Sequence, residues 1–288
     1  MQALFFYITY PLIYLIASLP FSALYRVSDL LYPLFKLVRY RKKAIYSNLH
    51  NSFPEKSALE IRSIADAYYR YLCDLLLETL KTLKMTEKEA RERVKFHGAE
   101  WFEKLCQEKK SIILVLGHYG NWEWAGPCIS LNTNFQLVVI YRPLSNNYFD
   151  QMMVKMRTKF GTRIIPANLT LRSMVANRGL VTATAFIADQ AAPQNAFWTT
   201  FLNQDTPVFT GPEKLAIKFD YPVVYLKTKR TGRGYYEVFV ELLFDHPKDT
   251  ISNEISVAFT RRLEQDIMDD PTTWLWSHKR WKHARNTA

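Results

Sequence analysis

The chain has no charged side chain before Arg26, 9 glycines in 288 residues and 3 cysteines. Scarce glycine excludes collagen-like order and argues against glycine-rich phosphate loops, while 15% aromatic residues exclude a disordered chain. Cys73, Cys106 and Cys128 stand far apart, without a CxxC pair or a neighbouring histidine cluster. Neither a disulfide framework nor a zinc site is expected, no other metal centre is predicted, and a reducing compartment is the simplest reading.

What the chain has in surplus is positive charge, +11 in all and carried after Tyr25. Such a balance suits an anionic partner: nucleic acid, an anionic membrane, a phosphorylated substrate or an acidic carrier protein. Plain solubility would explain it equally well. The uncharged run over 3–25 is long enough, at about 1.5 Å per residue, to cross roughly 30 Å of hydrocarbon as a helix. A membrane anchor over 1–25 is therefore expected. Thr9, Pro11, Ser18 and Pro20 interrupt the run, and an interfacial hairpin or helix is its rival. Arg26, Lys36, Arg39, Arg41, Lys42 and Lys43 follow, so the positive-inside rule puts the body of the protein in the cytoplasm.

Residues 26–93 read as a basic, helical segment. Ser52-Phe-Pro-Glu55 has the form of a capping box and predicts a helix start, followed by apolar positions at helical spacing from Ile61 to Leu83. Thr86-Glu-Lys-Glu89 predicts a second start. From Val94 to the end at 288, short apolar runs alternate with helical stretches, the pattern of an α/β unit with a mostly parallel central sheet flanked by helices. The expected strands are 94–97, 111–117, 135–141, 162–165, 180–188, 222–229 and 235–243. Helices are expected near 99–109, 121–131, 146–160, 168–178, 212–219 and 252–269.

Sites in such sheets form outside the carboxyl ends of the strands. His118 follows one predicted strand, Asp189 another and Arg142 a third. In Gly117-His-Tyr-Gly-Asn-Trp-Glu123 the histidine and the acid stand five residues apart, which on one helix would turn them about 140° from each other. They can cooperate if His118 lies in the turn and Glu123 in the first turn of a helix capped by Asn121. A histidine base, a carboxylate holding its tautomer and arginines facing anions would make an acyl-transfer or phosphate-handling site. The plainer readings are a local His–Glu hydrogen bond, a capping role for Asp189 and a surface position for Arg142.

The same residues recur in order with others: Tyr141-Arg-Pro143, Arg157 with Phe160-Gly161, Ala188-Asp-Gln190 and Trp274-Leu-Trp-Ser-His278-Lys-Arg-Trp281. In this the chain resembles the bacterial lipid A biosynthesis acyltransferases, the lauroyl- and myristoyl-transferring branch of the lysophospholipid acyltransferase superfamily, along nearly its whole length. The family commonly has His-Arg-Arg where this chain has His278-Lys279-Arg280, which changes the middle position from a planar fork to a point charge. The resemblance implies fatty acyl transfer from an acyl carrier protein thioester, a co-substrate and not a cofactor, to a hydroxyl of a phosphorylated glycolipid. It implies an anionic membrane as a further partner, the cytoplasmic face of the inner membrane as the location, and no nucleic acid. It implies His118 as general base oriented by Glu123, with Arg157 and Asp189 in the catalytic site. Asn121, Arg142, Gln190, His278 and Arg280 are the expected substrate-binding residues. Transfer to another lysophospholipid or glycolipid, or a non-catalytic anion-binding role at the membrane, are the alternatives.

Overall fold

The computed structural model describes residues 2–98 and 100–285. Position 99, where the helix over 99–109 was expected to begin, and 286–288 lie outside the described residues.

The N-terminal apolar run forms two helices, α1 (Gln2–Ser18) and α2 (Phe21–Leu37). This corrects the single helix expected over 3–25. Pro20 lacks the amide hydrogen that would continue α1, and its extended backbone starts α2 instead. The Lys81 ammonium donates to the Leu19 carbonyl at 2.7 Å and holds the break. Among the described residues, no helix is long and apolar enough to cross a membrane. The outer side of the pair is apolar nonetheless: Leu4, Phe5, Ile8, Leu12 and Leu15 on α1, and Leu30, Leu34 and Leu37 on α2, are all exposed.

Helix α3 (Lys42–Ser52) leads to the long α4 (Ala58–Lys81). The capping box is not at Ser52 and Glu55 but at Ser57 and Glu60, where both reciprocal bonds form. Ser52 still belongs to α3, and Phe53 behind it is buried against Trp276, so the chain turns before α4 can start. Thr86 and Glu89 do make the second capping box, opening α5 (Glu87–Arg93).

The elements that follow are β1 (Val94–His97), α6 (Glu100–Gln107), β2 (Ile112–Leu116), α7 (Trp122–Asn132), β3 (Gln136–Tyr141), α8 (Asn147–Thr158), β4 (Arg163–Pro166), α9 (Thr170–Ala176) and β5 (Thr182–Ile187). Then come β6 (Phe197–Phe201), β7 (Gln204–Val208), α10 (Gly211–Phe219), β8 (Val223–Gly232), β9 (Tyr235–Phe244) and α11 (Glu254–Asp269). Among the described residues, seven strands form one sheet in the order β1-β9-β8-β2-β5-β3-β4, and every pairing except β8 with β9 is parallel. The α/β expectation therefore holds.

Strand periodicity sorts the core into two layers. Ile113 and Val115 of β2 pack with α3, α4, α9, α10 and α11, whereas Ile112, Leu114 and Leu116 face α5, α6 and α7. Helices α3 and α4 thus share one core with the sheet. The antiparallel β6–β7 hairpin is an element that the sequence did not announce. Its turn places Leu202 and Asn203 at φ 50° and 61°, where glycine or asparagine usually signals a hairpin, and leucine hides the signal.

Candidate active site

Strands β2 and β5 are parallel neighbours, with Leu116 paired to Ile187. The Ala188 N–H then donates to the Leu116 carbonyl at 3.1 Å, which carries the alignment past the strand ends. Two residues beyond that pair stand His118 and Asp189. The imidazole Nδ1 lies 2.6 Å from Asp189 Oδ1, while Asp189 Oδ2 accepts the His118 backbone N–H and the Trp274 indole N–H, both at 2.8 Å. A carboxylate can only accept, so Nδ1 carries the proton and Nε2 the lone pair. The Gln190 amide, 3.2 Å from Nε2, meets that lone pair at the open side.

Asp189 is buried, which by itself disfavours its charge. The imidazole and the three hydrogen bonds outweigh that and hold the carboxyl below the usual aspartate range. The Trp122 ring also packs against His118, edge-on with centroids 4.9 Å apart.

The turn that carries His118 depends on Gly120, at φ +57°. A Cβ there would also stand 2.0 Å from the Thr228 carbonyl oxygen, so the position excludes any side chain. Asn121 caps α7, its Oδ1 accepting the Trp124 N–H at 3.0 Å, as expected from the spacing. The same residue is 0% exposed, and its Nδ2 donates to Glu78 Oε2 at 2.8 Å. This corrects the expectation that Asn121 binds substrate: both ends of its amide are used inside the protein.

Glu123 is likewise corrected as the partner of His118. It stands in the first turn of α7 facing α8, and Arg157 Nε and Nη2 donate to its two oxygens at 2.9 and 2.6 Å. The acid that orients His118 is Asp189. Burial by itself lowers the Arg157 pKa, but the hydrogen bonds and charge of Glu123, with Asp150 and Tyr141 nearby, together raise it above its ordinary value. Both bonds leave Nη1 of Arg157 outside the pair.

The remaining candidates divide. Gln190 is exposed beside His118. His278 Nε2 accepts the Ala191 N–H at 3.2 Å and so fixes the loop after Asp189, and burial lowers its pKa. Arg142 is exposed at the carboxyl end of β3. Arg280 does not reach the surface. It is 2% exposed, donates from Nη2 to the Pro207 carbonyl at 2.8 Å, and burial lowers its pKa to about 10. Its bond to Pro207 ties it to the β6–β7 hairpin, while Nε and Nη1 have no hydrogen-bond partner among the described residues and the side chain lines a small cavity with Asp189 and Ala188.

Sequence reading missed Trp274 as a donor to Asp189, and Asn48, whose Nδ2 donates to the Trp276 and His278 carbonyls at 2.8 and 2.9 Å. Trp274 stands in the Trp274–Trp281 stretch already noted, and Asn48 in the basic helical segment over 26–93. Their bonding partners, however, lie 85 residues away for Trp274 and 228 and 230 for Asn48, and no local pattern links them.

The sequence profile of the family described as "Bacterial lipid A biosynthesis acyltransferase" matches residues 2–283. The lipid A biosynthesis lauroyltransferase of Escherichia coli (strain K12) is 23% identical over 276 residues, covering 94% of this chain and 89% of that protein. The lipid A biosynthesis palmitoleoyltransferase of the same strain and the lipid A biosynthesis acyltransferase of Shigella flexneri are each 22% identical over 249 residues, covering 85% of this chain and 80% of theirs.

Proposed function

The chain belongs to the bacterial lipid A biosynthesis acyltransferases and is an O-acyltransferase of that pathway, and from that premise we propose that it moves a fatty acyl chain from an acyl carrier protein thioester to a hydroxyl of a phosphorylated lipid A precursor, with His118 as the base. The observation that carries this reading is the aim of the imidazole: Nδ1 is held by Asp189, and Nε2 faces outward beside Gln190.

A hydroxyl is a poor nucleophile near neutral pH. His118 Nε2 takes its proton as the oxygen attacks the thioester carbonyl, and Asp189 stabilises the imidazolium that forms. The tetrahedral intermediate then collapses with loss of the carrier thiolate, which His118 reprotonates. The thioester is already activated, so no acyl-enzyme is needed. Gln190 occupies the position that the acceptor hydroxyl takes, and moves aside or donates to it.

Arg157 serves the negative charge. Glu123 fixes its guanidinium through two bonds, and Nη1 is left to face the oxyanion or an acceptor phosphate. In this reading Glu123 acts through Arg157 and Asp189 acts on the base.

The exposed apolar stripe of α1 and α2 and the exposed Arg26, Lys36, Arg39, Arg41, Lys42 and Lys43 support interfacial attachment to an anionic bilayer. This gives the rival of a membrane-spanning anchor the preference, with the inner membrane's cytoplasmic leaflet as the surface, where a carrier-bound thioester and a lipid hydroxyl can meet.

The test is transfer by the purified protein from an acyl carrier protein thioester to a lipid A precursor in vesicles, read by mass spectrometry. Acylated product from wild type and none from His118→Ala is expected. Product from lysophospholipid alone, or from an acyl-coenzyme A but not the carrier thioester, overturns the assignment of acceptor or donor. Full activity of the folded His118→Ala protein overturns the base.

A further inference from the structure

The segment that runs from His118 into α7 is tied to the C-terminal stretch by the Gly120 N–H, which donates to the Thr273 carbonyl at 3.0 Å, and Gly120, Asn121 and Trp124 each also have a hydrogen bond to α4 or to Thr82 just after it. The Tyr71 hydroxyl of α4 donates to the Gly120 carbonyl. The Glu78 carboxylate of α4 accepts from Asn121 Nδ2 at 2.8 Å. The Trp124 indole N–H is shared between the Glu78 carbonyl at 3.2 Å and Thr82 Oγ1 at 3.1 Å, again on or just after α4.

We propose that Glu78 is a positioning residue for acyl transfer: its carboxylate sets which way the Asn121 amide points, and so sets the start of α7 from which Glu123 holds Arg157. The proposal rests on the reading that acyl transfer takes place at His118. An asparagine amide has an accepting end and a donating end of nearly the same shape. The cap needs the oxygen toward the Trp124 N–H, and an acceptor beside the nitrogen enforces that orientation. Asn121 and Glu78 are both 0% exposed, so Glu78 acts in place of solvent.

Glu78 is itself fixed. Its Oε1 accepts the Tyr25 hydroxyl of α2 at 2.9 Å, and Oε2 accepts the Tyr236 hydroxyl of β9 at 2.7 Å as well as Asn121. Burial raises its pKa, with the neighbouring Asp74 adding to the rise, against the hydrogen bonds of Tyr236 and Tyr25. A carboxyl with this many donors and no exposed surface touches no reactant. Its influence on the reaction runs through Asn121.

The test uses the full-length protein and separates turnover from binding. Glu78→Leu, measured for both substrates, is expected to lower kcat by about a hundredfold while each KM stays within about twofold, because the catalytic turn is misplaced and the binding surfaces are not. Glu78→Gln is expected to restore kcat, since its amide oxygen still accepts from Asn121. Asn121→Ser caps the helix with a hydroxyl that has no amide to orient. In that background Glu78→Leu is expected to change kcat by no more than about threefold, a non-additivity that isolates the pair.

A purely structural Glu78 would lose melting temperature and show the same kcat factor in both backgrounds. That result, or unchanged kcat in folded Glu78→Leu, overturns the proposal while leaving His118 as base. If Glu78→Leu does not fold, Asn121→Ala against Asn121→Ser decides, with equal kcat overturning it. A wild-type protein that transfers no acyl chain overturns both readings together.

Discussion

Asp189 and His118 stand at equivalent positions beyond two paired strand ends, 71 residues apart in sequence and 2.6 Å apart between Oδ1 and Nδ1. Removing the negative charge while keeping the shape tests what that contact does. Asp189→Asn is expected to lower kcat by about three to four orders of magnitude, with little change in KM, because the amide no longer fixes the Nδ1–H tautomer or stabilises the imidazolium. Steady-state kinetics with saturating carrier thioester measures it, and a drop under about tenfold would remove Asp189 as the orienting acid.

Glu123 and Arg157 should behave as one unit. Either Glu123→Gln or Arg157→Lys breaks the two-bond contact, so each single variant is expected to lose about as much as the double, with non-additivity of about 1–3 kcal/mol in transition-state stabilisation. Strict additivity would place the two residues in separate roles.

Gln190 lies 3.2 Å from His118 Nε2, the side at which the proposed reaction brings in the acceptor. Gln190→Ala is expected to raise KM for the lipid acceptor by roughly tenfold, the loss of about 1.4 kcal/mol of binding, with kcat nearly unchanged. Varying acceptor and donor separately checks it, and a rise confined to the donor's KM would reassign the residue.

Two buried carboxyl groups should give the stability curve opposite slopes. The Asp189 pKa is lowered in the fold, so its contribution is present above its unfolded value of about 3.9 and disappears as pH falls through the lower folded value. The Glu78 pKa is raised, so its contribution is complete below about 4.3 and is lost as pH rises through the folded value. Melting temperatures across pH should therefore show Glu78→Gln gaining on wild type as pH rises above about 4.3, and Asp189→Asn flattening the acid side. The reverse pattern would contradict both assignments.

The exposed stripe on α1 predicts a surface interaction. Ile8→Glu with Leu12→Glu, at positions 67% and 58% exposed, is expected to weaken binding to anionic vesicles by more than about tenfold without lowering the melting temperature. Binding should also weaken with added salt. Vesicle co-sedimentation at two ionic strengths measures both effects, and unchanged binding would move attachment to another face.

Sequence alone determined the layers of this protein and the addresses of its chemistry. Among the described residues, short apolar runs marked the seven strands of the main sheet to within a few residues, most plainly the central β2, because a buried parallel strand is apolar on both faces. The cap at Asn121 was readable too, since a helix start demands particular residues, whereas the positive φ at Gly120 emerged only in the fold. Tertiary structure decided the pairings. Parallel register carried Asp189 to His118, and the start of α7 turned Glu123 away toward Arg157. It also buried Arg280. The physical reason is the same in each case: composition and spacing fix what a residue can do, but which partner reaches it depends on which distant strand or helix packs alongside.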